Sequence, residues 1–341
     1  MAEPVPEETA IDPGRPIIDP HLHLWEIMPA SGALQAPQRF LLHEAAAEIA
    51  ASGHNITHSI FVDCHAMYRC EGEGAYRSLG ETEFANGMAA MSASGHYGPV
   101  HIAHRIVGNV DLRLGNAVRP VLEAHVAAAG ERFRGVRNST AWSEAPLFGT
   151  PTNPAGRGIL ADPAFHAGAR VLAAMGLSLD VWCLHTQLDE LIALADAVPD
   201  LAIILDHMGT PESQGVWANR AEEARADWAG RIARLAERPN VLVKLGGLGM
   251  NIGRPVGMTA GRAASPDLAT RWRPYVETCL QAFGPDRAMF ESNFPPGRDS
   301  ASYGATWNAF KIISGACTDA EKDMLFRGTA ARTYHIEIEG V

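Results

Sequence analysis

Short apolar runs alternate with longer amphipathic stretches from one end of the chain to the other. Eight runs read as strands: Ile17–Trp25, Thr57–Cys64, Val100–Val107, Phe133–Asn138, Leu177–Leu184, Leu201–Leu205, Val241–Leu245 and Arg287–Ser292. Helical spacing of apolar residues predicts helices over Arg39–Ser52, Glu81–Ser94, Ala117–Ala129, Pro163–Met175, Leu188–Val198, Glu222–Glu237 and Asp267–Phe283. Two more, Gly304–Ser314 and Asp319–Tyr334, close the chain. Several strands are apolar at nearly every position, as expected when both faces of a sheet are covered. Eight repeats of strand then helix predict an α/β fold, a (β/α)8 TIM barrel forming one domain over residues 17–341. No glycine-rich phosphate loop follows the first strand, which argues against a nucleotide fold. Long insertions at Ala66–Tyr97, Ser139–Gly158, Gly209–Ala221 and Gly246–Ala264 all follow strand C-terminal ends, where such barrels build active sites.

Composition narrows the partners. The 341 residues are 47% hydrophobic and 20% charged, ample for a large core. The net charge of −11 is dispersed, which argues against a nucleic acid or an anionic membrane surface as partner. A small-molecule substrate is the expected partner, and a homo-oligomer stays open. There is no apolar run of about 18 residues, so no membrane span is expected. Residues 1–16 are acidic and proline-rich without the basic-plus-apolar pattern of a signal segment, and read as a flexible leader. Five scattered cysteines without a CxxC pair point to reduced thiols, hence a cytoplasmic location, mostly as buried small hydrophobes.

Polar residues then fall into register with the strand ends. His21 and His23 are two apart at the end of the first strand, so they share a face. Two neutral imidazoles on one face can grip one divalent metal or two sides of an anionic substrate. Alone, the pair fits ordinary surface histidines equally well. Asp63 and His65 end the second strand, and Arg137 ends the fourth. His185 follows the fifth strand, which contains Asp180. Asp206 and His207 end the sixth, Lys244 lies on the seventh, and Glu291 and Asn293 end the eighth. Side chains at the ends of parallel strands converge on one mouth. The bland uses are satisfied loop histidines for His65 and His185, and structural hydrogen-bond partners for the three aspartates. Lys244 interrupts Val-Leu-Val, and an unpaired buried ammonium is costly, so it is either functional or paired with a carboxylate.

Four motifs in order carry a family resemblance: Asp19-Pro20-His21-Leu22-His23-Leu24-Trp25, Leu205-Asp206-His207-Met208-Gly209-Thr210-Pro211, Val243-Lys244-Leu245-Gly246-Gly247-Leu248 and Phe290-Glu291-Ser292-Asn293-Phe294-Pro295. Together they resemble the amidohydrolase superfamily, most closely its lactonase-like branch. That branch includes 2-pyrone-4,6-dicarboxylate lactonase and fuconolactonase-type enzymes, which act in aromatic or sugar-acid catabolism. The resemblance runs from about Ile17 to Tyr334. It implies a site in which the strand-1 histidines, the strand-6 histidine and a strand-8 carboxylate surround an electrophilic carbon. In metal-using members, the positions of His21, His23 and His185 help bind zinc, manganese or a similar divalent ion. Several lactonases of the branch work without a tightly bound metal. The family's strand-8 motif is Ser-Asp-(Trp/Phe)-Pro with Asp as general base, whereas this chain has Asn293 there. An amide has no proton-accepting carboxylate.

Three readings of Asn293 follow. Glu291, on the same face, takes over proton transfer with its pKa raised by burial. Alternatively, Asn293 orients substrate or water while Asp63 or Asp206 is the base. In the third, hydrolysis is lost. Opening of a small anionic lactone by water is the expected reaction, with His21, His23 and His207 stabilising the oxyanion directly or through a metal. His207, Glu291, Asn293 and Lys244 are the expected catalytic residues. Arg137 and Lys244 are expected to clamp a substrate carboxylate, and His65, Arg69 and Trp142 to contact substrate, with Met67, Tyr68 and Trp182 shaping the pocket. The alternatives are a metal-dependent decarboxylase or hydratase acting on an aromatic-derived acid, and a non-catalytic barrel that binds a small acid.

Overall fold

A computed structural model describes residues 8–28, 38–145, 156–250 and 262–338. Eight parallel strands lie in chain order: β1 (Ile17–Leu22), β2 (Ile56–Val62), β3 (His101–Gly108), β4 (Phe133–Ser139), β5 (Ser178–Trp182), β6 (Ile203–Leu205), β7 (Val241–Leu245) and β8 (Ala288–Phe290). The ring closes through a parallel bridge between Leu22 and Phe294, where the His23 N–H donates to the Phe294 carbonyl at 2.9 Å. The fold is a (β/α)8 barrel. A short antiparallel ribbon, Trp25–Met28 with Gln38–Phe40, follows β1.

The helices fall where the apolar spacing predicts: α1 (Leu42–Ala51), α2 (Leu79–Ala93), α3 (Arg119–Ala129), α4 (Pro163–Ala174), α5 (Leu188–Ala197), α6 (Ala221–Ala236), α7 (Ser265–Phe283) and α8 (Tyr303–Ile313). Local chemistry sets several ends. The Asp162 carboxylate accepts from the Ala164 N–H with Pro163 just inside α4, and the Ser302 hydroxyl accepts from the Ala305 N–H at the start of α8. The last predicted helix is broken into α9 (Asp319–Asp323), a π turn at Met324–Gly328 and α10 (Thr329–Thr333).

Two apolar layers result from the period-2 alternation of the strands. Outward residues such as Leu179, Val181, Ile203, Leu205, Val243 and Leu245 pack in the layer that the helices share. Inward residues Ile18, Ile60, Val62, Val107, Ile204 and Met289 form a plug, closed below by Tyr334 and Ile336 from the chain's last described segment. Asp180 and Lys244 have the inward parity but a polar side chain, so the barrel interior changes from apolar floor to charged site at their level.

Residues 8–15 depart from the expected flexible leader. The Glu8 carboxylate accepts from the Ser265 N–H at 2.7 Å, the Asn308 side chain accepts from the Ile11 N–H at 2.7 Å, and the Lys311 ammonium donates to the Asp12 carbonyl at 2.7 Å. These bonds hold the segment against α7 and α8. Residues 1–7, and parts of the insertions after β4 and β7, lie outside the described residues. Among the described residues, no helix is long and apolar enough to cross a membrane.

Candidate active site

The site starts from Asp19 on β1. Its buried carboxylate accepts from the Ser292 hydroxyl at 2.5 Å, the Ser292 N–H at 3.1 Å and the Tyr303 hydroxyl at 2.9 Å. This clamps the end of β8 to β1 and sets His21 and His23 against Glu291 and Asn293. Asn293 takes a left-handed conformation, φ 47°, as do His207 (φ 54°) and His65 (φ 63°). Non-glycine residues in this region are uncommon and strained, and they gather at functional sites.

Protonation can be read from the contacts. His23 Nδ1 donates to the Val62 carbonyl at 2.8 Å, because a carbonyl can only accept. Burial, then the neighbouring His21 and Arg137 charges, holds His23 well below the ordinary imidazole pKa, so it is neutral with its lone pair on Nε2. That lone pair lies 3.2 Å from His21 Nε2 and 3.2 Å from Asn293 Oδ1. His21 Nδ1 sits 2.9 Å from Glu291 Oε2, 3.5 Å from Asp206 Oδ1 and 3.2 Å from Lys244 Nζ. Burial and Lys244 push the His21 pKa down, but Glu291 and Asp206 outweigh them and raise it.

Lys244 is fully buried, and its ammonium donates to Asp180 at 2.6 Å and lies 3.1 Å from Asp206. Burial opposes its charge, yet Asp180, Asp206 and Glu291 together hold its pKa above the usual lysine value. Its charge is thus matched by two carboxylates, Asp180 and Asp206, while His21 stands beside it as a like charge. Lys244 is therefore a strut, and the expected clamp on a substrate carboxylate does not fit its surroundings. Tyr334 completes the strut from the floor, donating to Asp180 at 2.7 Å.

Glu291 also departs from expectation. Burial alone would raise its pKa, but His207 and His21 overcome this and hold it well below the carboxylate range. One oxygen accepts from His207 Nδ1 at 2.6 Å and from the His207 backbone N–H at 3.1 Å. Glu291 is thus an ionised carboxylate fixing the His207 ring, and a raised-pKa general base is not what its environment makes. Burial lowers the His207 pKa more than Glu291 raises it, so the ring is neutral with its lone pair on Nε2. Two glycines make room for this dyad. A Cβ on Gly246 would lie 2.4 Å from Glu291 Cγ, and one on Gly247 (φ 72°) 2.5 Å from His207 Cγ. The double glycine after β7 is the available sequence signal for this packing.

The expected substrate contacts separate. Arg137 lies beside the cluster, its Nη1 donating to the Asp63 carbonyl at 2.7 Å and its Nε 3.7 Å from Asp206 Oδ2. His65 is exposed, 3.4 Å from Asp63. Arg69 is exposed and paired with Glu83, which removes it from the site. Trp142 carries Arg157 4.7 Å above its ring, and its backbone N–H donates to the Gln187 side chain at 2.9 Å, away from the histidines. His185 leaves the metal set: its Nδ1 accepts from the Glu212 N–H at 3.0 Å and its Nε2 faces Asp227 on α6 at 3.6 Å. Burial pushes its pKa down to about 4. Below the mouth, Glu81 of α2 accepts from the Cys64 and Ala66 N–H groups at 3.0 and 2.8 Å. Burial and Asp63 push Glu81 up, while His65, Glu81 and Arg137 overcome burial to hold Asp63 down to about 2. Nothing in the α2 pattern marks Glu81 in advance.

A divalent cation fits one corner of this cluster. Two tetrahedral zinc ligands, each at about 2.0–2.1 Å, stand about 3.3 Å apart, close to the 3.2 Å between the two Nε2 atoms. Asn293 Oδ1 would be the third donor, and the Nδ1–H bond from His23 to Val62 is the outer support usual for a ligating histidine. His21, Asp206 and His207 also lie within ligand reach of one another. Lys244 occupies that side of His21, so a second cation there would sit beside an ammonium.

A buried His–Glu dyad beside an imidazole pair at the C-terminal mouth of a (β/α)8 barrel defines a hydrolase-type barrel with room for one metal. The chain belongs to the amidohydrolase family, whose model matches residues 18–336. It is 31% identical over 334 residues to the uncharacterized protein y4mH of Sinorhizobium fredii, covering 94% of this chain and 98% of that one. It is 30% identical over 235 residues to an L-fucono-1,5-lactonase of Burkholderia multivorans, covering 67% of this chain and 70% of the relative. A crystal structure of an amidohydrolase from Burkholderia multivorans with bound zinc superposes with a TM-score of 0.71 at 25% identity, covering 94% of this chain and 99% of that one.

Proposed function

We propose that the protein opens a small anionic lactone by adding water to the ester carbonyl. The observation that carries this reading is the His207–Glu291 pair, 2.6 Å apart and fully shielded, with Glu291 ionised. The carboxylate holds the proton on Nδ1 and leaves Nε2 as the base, the division of labour of a hydrolytic dyad. Water oxygen bonds to the carbonyl carbon as its proton passes to His207 Nε2. The ring C–O bond then breaks, and the leaving alkoxide takes that proton back, giving a hydroxy acid. Asn293 Nδ2 is a buried donor without a hydrogen-bond partner among the described residues, suited to the developing oxyanion. Asn293 is then an electrophilic donor, and the base role passes to His207. Arg137 Nε is likewise buried without a hydrogen-bond partner among the described residues, with Asp206 3.7 Å away, and is suited to a substrate carboxylate.

A metal bound by His21, His23 and Asn293 would polarise the carbonyl. With no carboxylate among those donors, weak and exchangeable binding is expected. The test is a panel of sugar-acid and pyrone-type lactones assayed with the protein as purified and after metal analysis, with products identified. Ring opening that is lost in His207→Gln supports the reading. Release of CO2 instead, or full turnover in His207→Gln, refutes it.

A further inference from the structure

The far end of the barrel carries a second cleft, of about 640 Å³, lined by Arg105, Glu131, Arg134, Arg332, His335 and Glu337. It lies between the start of β4 and the segment that closes the barrel floor. Its volume is in the range of small-molecule sites. The arginines differ in how they are used. Arg105 is committed, donating to the Tyr334 carbonyl at 3.2 Å and to the His335 carbonyl at 2.6 Å. Arg332 donates to the Asp286 carbonyl with part of its fork. The Arg134 guanidinium has no hydrogen-bond or ion-pair partner among the described residues, and its Nε is shielded from solvent.

A shielded guanidinium donor without an acceptor is expensive, and such groups in folded proteins are usually satisfied by an ion or water. The surrounding charge points the same way. Arg132 stands behind the cleft, bonded through Nη1 to Asn86 at 2.9 Å. Burial and then Arg134 lower the Arg105 pKa, and Glu131 and Glu337 do not restore it. The floor is thus locally basic in a chain of net charge −11. His335, on the cleft wall, is held at φ 53°, a left-handed strain at the rim.

We propose that this floor cleft is a binding site for a small polyanion, with phosphate or carboxylate oxygens on the open edge of Arg134 and secondary contacts to Arg332. A planar guanidinium takes two such oxygens side by side. The site is at the opposite end of the barrel from the His207–Glu291 dyad and does not depend on the reaction assigned there.

Calorimetric titration of the whole chain with inorganic pyrophosphate, and separately with citrate, tests this. Binding of either is expected, weakening as salt is added. Binding of pyrophosphate alone marks a phosphoryl ligand, and of citrate alone a polycarboxylate; each supports the proposal. Arg134→Gln is expected to weaken binding at least tenfold, and the exposed Arg332→Gln severalfold, while Arg69→Gln, in an exposed pair with Glu83 far from the cleft, leaves it unchanged. If Arg134→Gln does not fold, Arg332→Gln decides alone. No binding of either anion overturns the proposal, as does binding lost only in Arg69→Gln. Sedimentation of the wild type and Arg134→Gln covers the remaining case: a patch that governs self-association and takes no anion also overturns it.

Discussion

Gly247→Ala places a methyl carbon 2.5 Å from His207 Cγ and 2.6 Å from its Cβ and Nδ1. Carbon atoms settle near 3.5–4.0 Å, so the ring must retreat by about 1 Å. It is held by the 2.6 Å bond from Nδ1 to Glu291 and by the backbone bond of the same residue, and the retreat stretches the first of these. A misplacement of about 1 Å in a reacting group can cost on the order of 10²-fold in rate. An alanine at φ 72° adds backbone strain, and with overpacking the expected loss of stability is about 1–3 kcal/mol. The expected outcome is a folded protein with a melting temperature a few degrees lower and kcat/KM for the identified lactone down by about 100-fold. Gly230→Ala is the matched control: it lies inside α6 with nothing within 4 Å of the added carbon, and gains about 1 kcal/mol of helix propensity. Histidine ring shifts in NMR spectra give a readout that needs no substrate. Wild-type kcat/KM in Gly247→Ala, with the His207 resonances unmoved, would refute the packing that this reasoning assigns to the dyad.

Other consequences can be checked separately. Lys244→Met leaves Asp180 and Asp206 buried without their cation, and should cost about 3–5 kcal/mol in urea unfolding; a change under 1 kcal/mol would contradict the strut role. Asn293→Asp adds a carboxylate beside the His21–His23 lone-pair corner, so zinc affinity measured by chelator competition should rise at least tenfold, and an unchanged affinity would remove Asn293 from the donor set. Acid should destabilise the fold through His125, which is fully buried, accepts or donates at 2.8 Å to Thr82, and is pushed down to about 4 by burial. The unfolded chain takes up that proton near pH 6.5 and the native state only near pH 4, so stability is full above about 6.5 and falls with pH through that window, by up to about 1.4 kcal/mol per pH unit. His125→Phe should flatten the fall in urea midpoint between pH 7 and 5, and an equally steep fall in that variant would exclude His125 as its source.

Much of the architecture was legible because apolar strands covered on both faces leave a strong local signal. All eight strands and the main helices lie within a few residues of where the periodicity puts them. The residues at strand ends were legible for the same reason: a parallel barrel brings every strand's C-terminal end to one mouth, so position along the strand predicts convergence. His21, His23, His207, Glu291 and Asn293 meet on that basis. His185 shows where the rule stops. It follows a strand, but the turn after Leu184 aims its ring toward Glu212 and Asp227, and a turn's exit direction is set by what it packs against.

What the linear chain determined by itself was the barrel, the mouth and the list of groups delivered to it. Only the tertiary structure decided the protonation and the partnership of those groups. Glu291 and Lys244 look alike in sequence as charged residues on apolar strands. Burial should have neutralised both. In the folded chain Lys244 is held charged by Asp180 and Asp206, and Glu291 by His21 and by the two N–H groups that His207 donates, all within about 3 Å, where attraction and hydrogen bonding in a shielded interior exceed the cost of desolvation. That balance depends on distances between residues far apart in the chain, such as Asp180 and Lys244, 64 positions apart, and His207 and Glu291, 84 positions apart, which no local pattern encodes.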